Sequence, residues 1–143
     1  MAEDQRVARL RTYFETLSPA AVEELGALYA PDARFKDPFN DVRGVPAIQA
    51  IFTGMYRRVD RPRFVVTRTV CEGNDLFLAW DFLFSFKGDT RREQIIRGAT
   101  HIQFGPDGRV VLHRDYWDAA EELYEKLPVL GLLMRWMKRR ARH

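Results

Sequence analysis

The sequence predicts an α+β fold: three helices in the first half of the chain lie across one face of an antiparallel sheet built from the second half. Two observations carry this. Apolar residues recur at spacings of three and four up to about residue 58, then at alternate positions from Arg63 onward. The alternating runs are joined by Gly73-Asn74-Asp75, Lys87-Gly88-Asp89 and Gly105-Pro106-Asp107-Gly108, residues suited to hairpin turns. With 143 residues, 46% of them hydrophobic and 30% charged, the chain supports one core and one domain over 1–143.

Taken in order, Val7, Leu10, Tyr13, Phe14 and Leu17 form the apolar stripe of a helix over residues 4–17. Ser18 caps a second helix with Pro19 at its first position, where a missing N–H costs nothing. Val22, Leu25, Leu28 and Tyr29 are its inward residues, and it ends near Pro31. Ala33-Arg34-Phe35-Lys36 reads as a short strand and residues 37–41 as a turn, because Pro38 pushes Asp37 towards extended geometry. A third helix from about Val45 to Arg58 turns Ile48, Ile51, Phe52 and Met55 inward.

Strands over 63–72, 76–86, 92–104 and 109–117 then make a meander. Trp80, Phe82 and Phe84, with Ile96, Gly98, Thr100, Ile102 and Phe104, form its apolar face, which the helices must cover. Asp81, Arg97, His101, Gln103 and Arg114 form the polar face. Cys71, the single cysteine, permits no internal disulfide and is expected to be a small buried hydrophobe.

On the last strand, alternation places Val111, His113, Asp115 and Trp117 on one face and Val110, Leu112, Arg114 and Tyr116 on the other. An unpaired buried charge costs several kcal/mol, so an imidazole, a carboxylate and an indole in one inward row mark a site. An edge strand with its polar row in water would show the same alternation. Asp118-Ala119-Ala120-Glu121 has the capping-box pattern and opens a C-terminal helical extension, 119–143. Its apolar run, 129–137, needs a cover: the mouth of a pocket, a second subunit, or a membrane surface, where Trp136 beside Lys138 and Arg139 would suit the interface.

Composition narrows the function classes. The net charge of +3 is concentrated in Arg135, Lys138, Arg139, Arg140 and Arg142, a solvated tail rather than a nucleic-acid surface. The start lacks the pattern of a secretory signal and no apolar run is long enough to span a bilayer, so a cytoplasmic protein is expected. His101, His113 and His143 do not make a zinc set, and there is no phosphate loop or Gly-x-Ser-x-Gly elbow. No metal and no cofactor are expected.

The order helix, helix, Phe35-Lys36-Asp37-Pro38-Phe39, helix, then a long sheet closing with His113-Arg114-Asp115-Tyr116-Trp117-Asp118 resembles the nuclear transport factor 2-like superfamily. That group includes ketosteroid isomerases, SnoaL-type polyketide cyclases and limonene epoxide hydrolases. The resemblance covers about residues 5–120 and implies a cone-shaped, cystatin-like roll, a SnoaL-like domain, and a homodimer through the sheet. The isomerases carry a tyrosine in the first helix, an aspartate directly before proline and an acid in the third long strand. Tyr13 and Asp37 match the first two, and Thr100 stands at the third. The resemblance thus implies that Asp37 takes a proton beside a carbonyl while Tyr13 bonds the enolate oxygen. The cyclases have an inward aspartate on the last strand, which Asp115 matches, with His113 as its partner on the same face. The epoxide hydrolases need an arginine and an aspartate where this chain has Gly98 and Thr100.

Two functions of different class follow. One is a cofactor-independent isomerase or cyclase acting by acid/base chemistry on a hydrophobic carbonyl compound, with Asp115 or Asp37 as base, His113 as partner and Tyr13 as donor. Its ligand would lie against Phe14, Phe39, Met55, Trp80, Phe82, Phe84, Thr100, Ile102 and Trp117. The other is a non-catalytic module using the same cavity, or the apolar C-terminal segment, to hold a ligand or partner.

Overall fold

A computed structural model describes residues 3–122, 136, 137 and 139–141. The elements run α1 (Gln5–Glu15), α2 (Pro19–Val22), a 3-10 turn (Leu25–Ala27), β1 (Tyr29–Lys36), β2 (Asp41–Arg43), α3 (Val45–Arg58), β3 (Val59–Glu72), β4 (Asp75–Phe86), β5 (Gln94–Phe104), β6 (Val110–Tyr116) and α4 (Ala119–Glu122). The α+β fold is the one expected. The caps follow the sequence: Asp4 accepts from the Arg6 amide at 2.9 Å, and Ser18 Oγ from the Ala21 amide at 3.1 Å.

The six strands are ordered β2-β1-β6-β5-β4-β3. The meander β3–β6 stands as expected, but β1 joins it in parallel beside β6, with Phe35 opposite His113. This pairing shortens the second helix. The Val110 amide donates to the Leu28 carbonyl at 2.8 Å, and Tyr29, expected on the helix, instead opens β1 opposite Val110. Tertiary pairing here overrides a helical period of only a few residues. Asp41, expected to close a turn, instead opens a short strand over 41–43 that pairs with β1 as β2.

A bulge corrects the start of the last strand. Phe104 pairs with Val110 and Gln103 with Leu112, so Val111 is the extra residue. Val110 consequently points into the core at 1% exposure and Val111 outward at 37%, the reverse of simple alternation. Beyond the bulge the expected faces are restored.

The core lies between the sheet and α1 and α3. Val7, Leu10 and Phe14 from α1 and Ile48 and Phe52 from α3 meet Leu76, Leu78, Trp80, Phe84, Ile96 and Ile102 from the strands. Cys71 is exposed rather than buried, because it sits near the free end of β3, an edge strand. The hydroxyl of Tyr56 on α3 is buried and has no hydrogen-bond partner among the described residues. Tyr56→Phe is therefore expected to raise stability by about 1 kcal/mol in urea unfolding, since it removes an unsatisfied polar group at constant shape.

At the end of the sheet, Asp118 Oδ1 accepts from the Glu121 amide at 3.1 Å and starts α4. The expected helical extension beyond Glu122, with its apolar run, falls mostly outside the described residues; Trp136 and Met137 are exposed, and Arg140 lies over the Trp136 ring. Among the described residues no helix is long and apolar enough to cross a membrane.

A buried polar chain as the candidate active site

Three adjacent strands bring one row of polar side chains to the inner face. Trp80 on β4 faces Gly98 on β5, Thr100 on β5 faces Asp115 on β6, and Ile102 faces His113. The row is continuous. Trp80 Nε1 donates to Thr100 Oγ1 at 2.7 Å, and Thr100 Oγ1 donates to Asp115 Oδ1 at 2.6 Å. His113 Nε2 lies 2.8 Å from the same Oδ1, and its Nδ1 lies 2.6 Å from the Tyr29 hydroxyl.

The donors can be assigned from chemistry. An indole N–H only donates, so the Thr100 hydroxyl accepts from Trp80 and spends its one proton on Asp115. A carboxylate only accepts, so Nε2 carries the imidazole proton facing Asp115. Tyr29 is fully buried, and burial, with Asp115 and Tyr13 adding to it, holds its hydroxyl well above the usual tyrosine pKa. Among the described residues its proton has one hydrogen-bond acceptor, His113 Nδ1, which accepts only when it carries no proton itself. Both donors thus converge on Oδ1, and no hydrogen bond reaches Oδ2 of Asp115 among the described residues.

Apolar packing fixes this geometry. The His113 ring lies 4.6 Å from Phe35 and 5.6 Å from Phe14, centroid to centroid, and the residue is 3% exposed. Asp115 is less enclosed, its side chain 17% exposed. Beside it is a cavity of about 20 Å³ lined by Phe14, Phe52, Phe64, Val66, Leu78, Trp80, Thr100, His113 and Asp115. That is space for one or two waters, so aromatic side chains fill most of the cone. Asp115 also borders an open hollow of about 530 Å³ at the cone's mouth, together with Lys36, Asp37, Trp117 and Asp118.

Of the residues expected at the site, the structure gathers Asp115, His113, Thr100, Trp80 and Phe14 around one cavity. Met55, Phe82, Phe84 and Ile102 pack in or against the core without lining it, and Ile102 is fully buried. Phe39 is 52% exposed and meets Trp117 edge to face at the mouth. Asp37 works within its own turn: its Oδ1 accepts from the Phe39 and Asn40 amides at 2.8 and 2.7 Å. The Tyr13 hydroxyl donates to the Ala21 carbonyl at 2.8 Å, away from the cavity lining.

Tyr29, Phe52, Phe64, Val66 and Leu78 complete the site and were not anticipated there. The trace for Tyr29 was the alternation Tyr29, Pro31, Ala33, Phe35 against Asp32, Arg34, Lys36, a strand pattern that begins where a helical stripe is still running.

Burial pushes the hydroxyl of Tyr13 up to about 12 and holds that of Tyr29 well above the usual tyrosine value. Unfolded tyrosines ionise first, so the folded state holds more protons above pH 10. Stability should be complete below about pH 10 and fall as pH rises through the folded pKa values. Denaturant midpoints at pH 8 and 11 measure this fall, and Tyr29→Phe should make it shallower.

Residues 10–113 match the model of the SnoaL-like domain. No curated protein matches the chain. Among solved structures, a hypothetical protein with a ketosteroid isomerase-like fold from Catenulispora acidiphila, in complex with trimethylamine, has a TM-score of 0.71 at 16% identity, covering 85% of this chain and 92% of that one. A SnoaL-like protein from Shewanella putrefaciens, assigned as a polyketide cyclase, has a TM-score of 0.70 at 17% identity, covering 85% and 98%. An LEH-like epoxide hydrolase of M. tuberculosis has a TM-score of 0.66 at 16% identity, covering 94% of each chain. At these identities the likeness is one of fold.

Proposed function

Since this chain belongs to the SnoaL-like domain family, we propose that its cone receives a small, largely apolar molecule beside Asp115, whose Oδ2 takes a proton from it. The observation behind this reading is that Thr100 and His113 both donate to Oδ1, which orients the carboxylate, while Oδ2 has no hydrogen bond among the described residues. The family match ends at His113, so the role of Asp115 rests on this geometry rather than on the match. Asp37, occupied by amides of its own turn, is the weaker candidate base.

Hydrogen–deuterium exchange tests the reading. A panel of small enolisable ketones is incubated with the protein in heavy water and followed by proton NMR. Exchange is expected with the wild type, a loss of about 10²-fold or more in Asp115→Asn, and little change in Asp37→Asn. No exchange by the wild type, or an unchanged rate in Asp115→Asn, would contradict it.

The small cavity favours a second reading, binding without turnover in the same place. Saturable ligand shifts at Trp80 and His113 without any exchange would support it.

The sheet's outer face leaves Val65, Phe77 and Tyr116 exposed, beside Arg97 and Asp81. We propose a homodimer through this face. Light scattering at micromolar concentration should give twice the chain mass of 16.8 kDa, and Tyr116→Glu should shift it to the monomer.

A further inference from the structure

Among the described residues, the inner cavity offers hydrogen-bond acceptors but no spare donor. Of its lining residues, Trp80, Thr100 and His113 carry donor groups. The indole proton is used on Thr100, the threonine proton on Asp115, and the Nε2 proton on Asp115. Tyr29, behind the ring, spends its proton on Nδ1. No lysine or arginine among the described residues lines the cavity. Lys36 and Arg114 border only the outer hollow, where Asp37 and Asp118 offset them.

The charge count follows from the same assignment. In this hydrogen-bond pattern His113 carries one proton, because Tyr29 donates to Nδ1 and Nε2 donates to Asp115. Among the described residues Asp115 is then, apart from His113, the one acidic or basic side chain lining the cavity, together with the rings of Phe14, Phe52, Phe64 and Trp80. A carbonyl guest finds no donor among the described lining residues until Asp115 has taken its proton, so it is held weakly even where it is turned over. A positively charged guest has both partners it needs, a carboxylate and aromatic rings.

The geometry points to a small alkylammonium group as the guest of this cavity: a protonated amine carrying one or two methyl-sized substituents, whose N–H meets Asp115 Oδ2 and whose alkyl groups meet the rings. This rests on the cavity being the ligand site, as in the reading above, but not on turnover. It names the guest's charge and its hydrogen-bonding sense. The unrelaxed space of about 20 Å³ limits the buried head to a few heavy atoms, and a longer substituent would leave past Asp115 into the hollow at the mouth.

The test is an NMR titration of the full chain with dimethylammonium chloride, with acetone as a neutral acceptor of similar size and tert-butanol as a neutral apolar control. Sodium chloride is used to match ionic strength. Dimethylammonium is expected to shift the Trp80 indole and the Thr100, His113 and Asp115 amides saturably, and to bind at least tenfold more tightly than acetone. Asp115→Asn should weaken dimethylammonium at least tenfold and leave tert-butanol unchanged. Phe64→Leu, which keeps the carboxylate, should weaken it several-fold, guarding against a fold defect in the first variant.

Acetone binding in preference to dimethylammonium would overturn the cationic guest while leaving Asp115 as a base intact. No shift from dimethylammonium at the concentration where sodium chloride also gives none would overturn it too. The proton-exchange experiment then decides separately whether the cavity acts on any guest.

Discussion

His113→Ala is expected to destabilise the protein by about 3–5 kcal/mol, a large part of the net stability of a domain this size. Two costs add. The ring is packed among Phe14, Phe35 and Phe52, so truncation leaves a hole in a close-packed region. It also strands the Tyr29 proton, whose one partner among the described residues is Nδ1, in a fully buried position. His113→Phe separates the terms, because it keeps a ring of similar size and loses only the hydrogen bonds. It should cost about 1–3 kcal/mol, and adding Tyr29→Phe should recover part of that. Urea unfolding of the two single variants and the double variant measures the coupling; additive effects would mean that the hydroxyl and the ring do not interact.

Gly98→Ala is the second large effect, about 1–3 kcal/mol by overpacking. Trp80 lies across Gly98 so closely that a Cβ there would collide with the indole ring. The glycine is needed for this approach and not for a special backbone conformation. Displacing the indole would also pull Nε1 from Thr100, 2.7 Å away, and loosen the Thr100 bond to Asp115. Trp80→Leu in the Gly98→Ala background should relieve the clash, so the double variant is expected to be more stable than the sum of the single losses predicts. The same packing explains why an arginine at position 98 has no room in this chain, which sets it apart from the epoxide hydrolase pattern.

Much of this was legible in the sequence because it depends on local period. The helices over 5–15 and 45–58, the meander and the inward row His113, Asp115 follow from spacings of 3.6 and 2 and from turn residues. What was not legible depends on long-range pairing. Tyr29 continues a helical stripe in sequence, and only β6, 81 or more residues away, makes it a strand residue. The bulge at Val111 flips one side chain and leaves no trace in the alternation Arg109 to Trp117. Tyr13 and Asp37 carry the right side chains in the right elements, but each is satisfied by a nearby backbone group, a relationship that residue type alone does not reveal.

The charge beside Asp115 is set by how many protons His113 bears, and the donor to Asp115 Oδ1 by which nitrogen bears them. Two-dimensional nitrogen-15 NMR of the imidazole at pH 7 measures this directly. The expected result is a neutral ring with its proton on Nε2 and a bare Nδ1, changing on Tyr29→Phe. A proton on Nδ1, or on both nitrogens at that pH, would contradict it.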